Sequence, residues 1–152
     1  MVNMGKTLGY MVTWTTYGTW LQGDKRGYVR EGKICGRNPR LEQRNKENQM
    51  GNTIKLTSKQ KNIVRKSLME EARKLGQKVH SIAVCTNHVH MVVSYISDGI
   101  EKSVKHYKNA SLVALREDGF VGRVWTRGYD KRYCFDEKSL KNRIEYINKH
   151  EQ

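Results

Sequence analysis

The sequence predicts an α+β fold. It is a ferredoxin-like (split βαβ) antiparallel sheet with helices on one face, followed by a C-terminal helix. Three observations lead there. Stretches rich in β-branched and aromatic residues alternate with stretches of apolar residues at helical spacing, in the order β-α-β-β-α-β-α. The two middle strands are joined by a tight turn, as antiparallel neighbours are. The chain has 152 residues, 37% of them hydrophobic, which suits one domain over 1–152 with one core and no internal repeat.

Residues 8–17 (Leu-Gly-Tyr-Met-Val-Thr-Trp-Thr-Thr-Tyr) read as the first strand. Residues 21–53 lack periodicity and hold the only proline, Pro39, with Gly23, Gly27, Gly32, Gly36 and Gly51. They read as a long basic loop insertion carrying Lys25, Arg26, Arg30, Lys33, Arg37, Arg40, Arg44 and Lys46. Such a segment is either a plain flexible arm or one that orders on DNA. Thr57 and Gln60 form a capping box for a helix that buries Val64, Leu68, Ala72 and Leu75 and stops at Gly76. Strands follow at 78–85 and 88–95, with a turn at Thr86-Asn87. Asp98 is the expected cap of a second helix over about 99–117, with Ile100, Val104 and Tyr107 on its apolar face. Gly119 and Gly122 end it, and 123–135 reads as a further strand or extended segment. Asp136 caps a third helix that buries Leu140, Ile144 and Ile147 and runs almost to the chain end.

Charge narrows the partner. Twenty-nine Lys and Arg against 15 Asp and Glu give a net charge of +14, which points to a polyanion, with nucleic acid ahead of an anionic membrane surface. No apolar run approaches the roughly 20 residues that a spanning helix needs. The stretch Met1–Lys6 has no apolar signal-peptide core. The three cysteines (Cys35, Cys85, Cys134) are odd in number and lack Cys-x-x-Cys spacing. They read as ordinary thiols in a reducing compartment, so the expected location is cytoplasmic, nucleoid-associated when DNA-bound.

The chemistry concentrates in two places. In Asn87-His88-Val89-His90 the histidines are two apart on a strand, so both imidazoles face the same way. Such a pair is either structural or an open metal site. Two ligands are too few for a closed zinc site and suit an ion shared with a substrate phosphate. In Tyr146-Ile147-Asn148-Lys149-His150, Tyr146 and His150 share a helix face with Arg143, beside the buried stripe. Among eight tyrosines, Tyr146 is the nucleophile candidate or else a boundary residue with its hydroxyl in water, whereas Tyr107 reads as core. A third stretch, 122–133, mixes the cations Arg123, Arg127, Lys131 and Arg132 with the rings of Trp125, Tyr129 and Tyr133. It reads either as a half-buried strand with a solvated charged face or as a DNA-binding surface, its cations tracking phosphates and its rings stacking on unpaired bases.

At these residues the chain resembles the HUH single-tyrosine transposases, and within them the REP-associated tyrosine transposase branch. Asn87-His88-Val89-His90 matches the family's histidine–hydrophobic–histidine motif, and Tyr146 with His150 matches its catalytic helix. Residues 15–24 (Thr-Thr-Tyr-Gly-Thr-Trp-Leu-Gln-Gly-Asp) resemble an N-terminal signature of the group, and 125–129 resemble the segment before the catalytic helix. The usual third ligand is Gln or Asn, and here His150 stands there. The resemblance implies that His88, His90 and His150 hold Mg²⁺ or Mn²⁺. Tyr146 would then cleave single-stranded DNA near a hairpin, leaving a 5′-phosphotyrosine and a free 3′-hydroxyl. It also allows a homodimer, with the catalytic helix acting within one subunit or across two. The competing reading is a non-catalytic domain that binds single-stranded DNA or RNA hairpins. Geometry separates the two: a nuclease needs Tyr146 facing the histidines.

Overall fold

The computed structural model describes residues 7–19 and 53–149, with the backbone alone of 28–30, 33–35 and His150. Four strands form one sheet: β1 (Gly9–Thr15), β4 (Val79–Val84), β5 (His88–Ser94) and β6 (Asp130–Cys134). Their order is β4-β5-β1-β6, with every neighbouring pair antiparallel. Within this sheet β1 and β4 follow one another in the chain and are split by β5, which is the split βαβ arrangement. Two three-residue strands, β2 (Tyr28–Arg30) and β3 (Lys33–Cys35), pair as a hairpin. The segment expected to be a long basic loop insertion therefore holds a short ladder. The side chains of Trp20, Cys35 and the basic run from Lys25 to Lys46 lie outside the described residues.

The helices are α1 (Ser58–Leu75), α2 (Ile100–Glu117) and α3 (Glu137–His150). α1 begins at the expected capping box: Gln60 N–H donates to Thr57 Oγ1 (3.2 Å), and Thr57 N–H donates to Gln60 Oε1 (2.9 Å). It ends at Gly76 in the left-handed conformation. α2 departs from expectation at its start. Gly99 (φ 96°), and not Asp98, occupies the cap position, and no side chain caps it. α3 is capped as expected, with Ser139 N–H donating to Asp136 Oδ1 at 2.7 Å. Hydrogen bonding from Ser139 holds the Asp136 carboxyl below the usual carboxylate range.

The sheet is covered on both faces. Tyr10, Val12, Trp14, Val89, Met91 and Val93 pack against Val64, Leu68 and Ala72 of α1 and Ile100, Val104 and Tyr107 of α2. On the opposite face Met11, Ala83, Cys85 and Val92 meet Ile147, with Leu140 and Ile144 beside it. This explains why every residue of β1 is buried: the strand is central and has a helix layer on each side. Gly9 admits α3 closely. A Cβ there would lie 2.6 Å from the Val93 carbonyl oxygen and 3.3 Å from Leu140 Cδ1. Gly18 (φ +89°) turns the chain after β1, and a Cβ there would meet Thr53 Cα at 2.8 Å. Among the described residues no helix is long and apolar enough to cross a membrane.

Candidate active site

The site floor is built by strand alternation. His88, His90 and Val92 of β5 point to the face that α3 covers, as Val92 shows by packing on Ile147. In the β1 ladder, Thr13 lies opposite His90 and Thr15 opposite His88. The two imidazole centroids are 4.7 Å apart, at an interplanar angle of 73°. His90 is buried and His88 half-buried. Each ring is held through Nδ1. His90 Nδ1 is hydrogen-bonded to Thr13 Oγ1 at 2.7 Å, and His88 Nδ1 to Asn87 Oδ1 at 2.8 Å.

Tyr146 arrives from α3. Leu140, Ile144 and Ile147 seat this helix on the sheet, and Ser81 Oγ of β4 donates to Asn148 Oδ1 at 2.6 Å. Tyr146, next to buried Ile147, stands at the margin of that seat. Its ring centroid is 5.9 Å from that of His90, edge-on at 77°, and 48% of the residue stays exposed. The two histidines and Tyr146 therefore meet within one subunit. The His150 side chain lies outside the described residues. Among the described residues, no group of three or more His, Cys, Asp or Glu side chains forms a metal cluster. Two imidazoles on one face, each bound at Nδ1, nonetheless suit a divalent ion, because imidazole ligands commonly bind metal through one nitrogen while the other is hydrogen-bonded.

The expected DNA-binding stretch is divided by the fold. Trp125 is buried, edge-on to Trp14 (5.9 Å, 88°), and its indole N–H donates to Ser111 Oγ at 3.0 Å. Its ring has no open face for a base, and this corrects the stacking role expected of it. Tyr129 is also partly buried against the core, and burial pushes its phenol up. Arg123 and Arg127 are exposed. They flank Thr126, whose N–H donates to Thr15 O at 3.0 Å, so they lie at the His88 end of the sheet. The Arg123 guanidinium sits 4.8 Å from the Tyr17 ring centroid. Lys131 and Arg132 alternate on β6, facing opposite sides of the sheet. Lys131 pairs with Glu101 at 3.4 Å and Arg132 with Asp130 at 3.1 Å.

Lys108 is a cation the sequence reading passed over. It donates to Thr126 O (2.9 Å) and Gly128 O (2.5 Å), tying α2 to the 125–129 segment. Burial, with the Arg123 charge adding to it, lowers its pKa to about 8. Thr13, Ser81 and Asn148 were missed for another reason: their partners are set by strand register and helix docking, which leave no local signal. Cys85 and Cys134 are buried free thiols, their pKa values pushed up by burial.

A family model described as "Transposase IS200 like" matches residues 52–150. Two solved structures are similar across 99% of this chain. One is a REP-associated tyrosine transposase bound to a REP hairpin, at 12% identity, TM-score 0.59 and 74% coverage of that chain. The other is a candidate transposase from Deinococcus radiodurans R1, at 15% identity, TM-score 0.50 and 96% coverage. At these identities the likeness is one of fold. No curated protein matches.

Proposed function

This chain belongs to the IS200-like transposase family, and on that premise we propose that it nicks and rejoins single-stranded DNA beside hairpins, with Tyr146 as the nucleophile. The observation that carries this reading is the juxtaposition of Tyr146 with the histidine pair: an exposed phenol 5.9 Å, ring to ring, from His90. A domain that only binds nucleic acid needs no such meeting. The REP-associated relative of similar fold was solved with a hairpin, and the +14 charge of this chain suits a polyanionic substrate. An Mg²⁺ or Mn²⁺ ion held by His88 and His90, with His150, would supply Lewis-acid polarisation of the scissile phosphate.

The chain's own part is nucleophilic substitution at phosphorus. Tyr146 Oη loses its proton to solvent and forms a bond to the phosphorus. The bond from phosphorus to the 3′ oxygen breaks, and that oxygen takes up a proton and leaves as a 3′-hydroxyl. The product is a 5′-phosphotyrosine. Because the ester bond is kept on the enzyme, attack by a second 3′-hydroxyl restores the phosphodiester and the phenol without ATP. In this reading Arg123 and Arg127, at the His88 end of the sheet, would hold backbone phosphates, with Lys131 and Arg132 doing so further along β6.

The test is covalent trapping on labelled single-stranded hairpin DNA, with the adduct mapped by mass spectrometry. Tyr146→Phe should keep the fold and DNA affinity and lose the adduct. Replacing His88 and His90 together by Ala should abolish metal-dependent cleavage and leave most binding. Tyr107 is fully buried, with its hydroxyl on Gln77 Oε1, which removes it as a rival nucleophile. An adduct on Tyr129, or one surviving Tyr146→Phe, would refute the assignment.

A further inference from the structure

We infer that Asn87 is a positioning residue that selects the metal-binding tautomer of His88, while Thr13 orients His90 without selecting its tautomer. The inference rests on the reading of the histidine pair as a metal site and assigns the roles of two residues beside it. The two Nδ1 bonds look alike in length but differ in chemistry. Asn87 presents its side-chain carbonyl oxygen to His88 at 2.8 Å. A carbonyl oxygen only accepts, so Nδ1 of His88 must carry the proton. In the neutral ring the lone pair then resides on Nε2, and coordination falls to that nitrogen. The reverse amide orientation would set an N–H against Nδ1 and move the ring proton to Nε2, where it would oppose a cation.

Thr13 is different. Its hydroxyl, 2.7 Å from His90 Nδ1, both donates and accepts. It fixes the plane of a buried ring and tolerates either tautomer. His90 also sits in the middle of β5, between Thr13 of β1 and Ala83 of β4 in the ladder, so packing contributes to its placement. His88 is the first residue of its strand and is half-buried. At that position the ladder frames it on fewer sides than His90, so the Asn87 contact has more of its orientation to set. Asn87 is itself anchored for this task, because its backbone carbonyl accepts from Thr16 N–H at 2.9 Å. The turn residue is therefore tied to the end of β1 as it holds the first histidine.

The test uses the full chain, Mn²⁺ as the probe and titration of its affinity, with no DNA present. Asn87→Leu keeps the approximate volume and removes the acceptor. It should weaken Mn²⁺ binding about 10- to 100-fold, the usual effect of losing an outer-shell partner. Asn87→Asp restores an acceptor and should return affinity to at least the wild-type level. Thr13→Val should cost less than Asn87→Leu, and Thr13→Ser should restore the loss. A second readout needs no variant: nitrogen-15 spectra of the metal-free wild type at neutral pH should show His88 protonated on Nδ1. Wild-type affinity unchanged by Asn87→Leu, or a His88 proton found on Nε2, would overturn the inference and leave the metal site standing. A wild type that binds no Mn²⁺ would overturn both.

Discussion

Ile147→Ala tests whether the seat of α3 is what places Tyr146. Ile147 is 0% exposed and packs on Met11, Ala83, Cys85 and Val92. The substitution removes three carbons, worth about 2.4 kcal/mol at ~0.8 kcal/mol per buried methylene. The cavity left behind raises this within the usual range of about 2–5 kcal/mol for such truncations. In a chain of this size, the transfer loss alone should lower the melting midpoint by roughly 5–10 °C. Val64→Ala is the control. Val64 is equally buried but belongs to α1 on the opposite face, and its loss is about 1.6 kcal/mol by the same measure. Both variants should be assayed for adduct formation on hairpin DNA, well below both melting midpoints. Val64→Ala should keep near wild-type rates. Ile147→Ala should lose about 10- to 100-fold, because small displacements of a reacting group carry penalties of that order. Equal rates in Ile147→Ala and wild type would refute the idea that this apolar contact aims the nucleophile.

Two further outcomes are expected. Lys108 has a native pKa of about 8, against 10.5 for the free side chain. Between those values the unfolded chain binds more protons, so this group's contribution to stability rises with pH there. Below pH ~8 the cost of the desolvated charge is fully present. Urea unfolding of wild type and Lys108→Met at about pH 7 and 9.5 should show the difference shifting in favour of wild type at the higher pH. A difference independent of pH would contradict this. Binding should favour hairpin or single-stranded DNA over plain duplex and weaken steeply with salt, since neutralising several phosphates releases counterions. Competition at fixed salt that shows equal affinity for duplex would count against it.

Much of the molecule is written locally. Helical spacing marks Val64, Leu68 and Ala72 as one face of α1, and the pair Thr57 and Gln60 marks its start. Period-two alternation puts His88 and His90 on one face before any partner is known, and the stripe Leu140, Ile144, Ile147 leaves Tyr146 beside the buried side. The local signal failed where a neighbouring residue or a distant contact overrode it. Asp98 offers a capping side chain, yet the chain enters α2 through Gly99 at positive φ. Trp125 sits among cations like a stacking residue, yet Trp14 and Ser111, distant in sequence, enclose it.

What the sequence by itself determined is which residues share a face and where α1 and α3 begin, because those properties depend on neighbours three or four positions away. What only the tertiary structure decided is which faces meet. Thr13 finds His90 across 77 positions and Ser81 finds Asn148 across 67, and α3 crosses to the free face of the sheet to bring Tyr146 beside the histidines. Strand register and helix docking minimise the exposed apolar surface of the whole chain, and a sum over distant pairs cannot be read from any one segment of it.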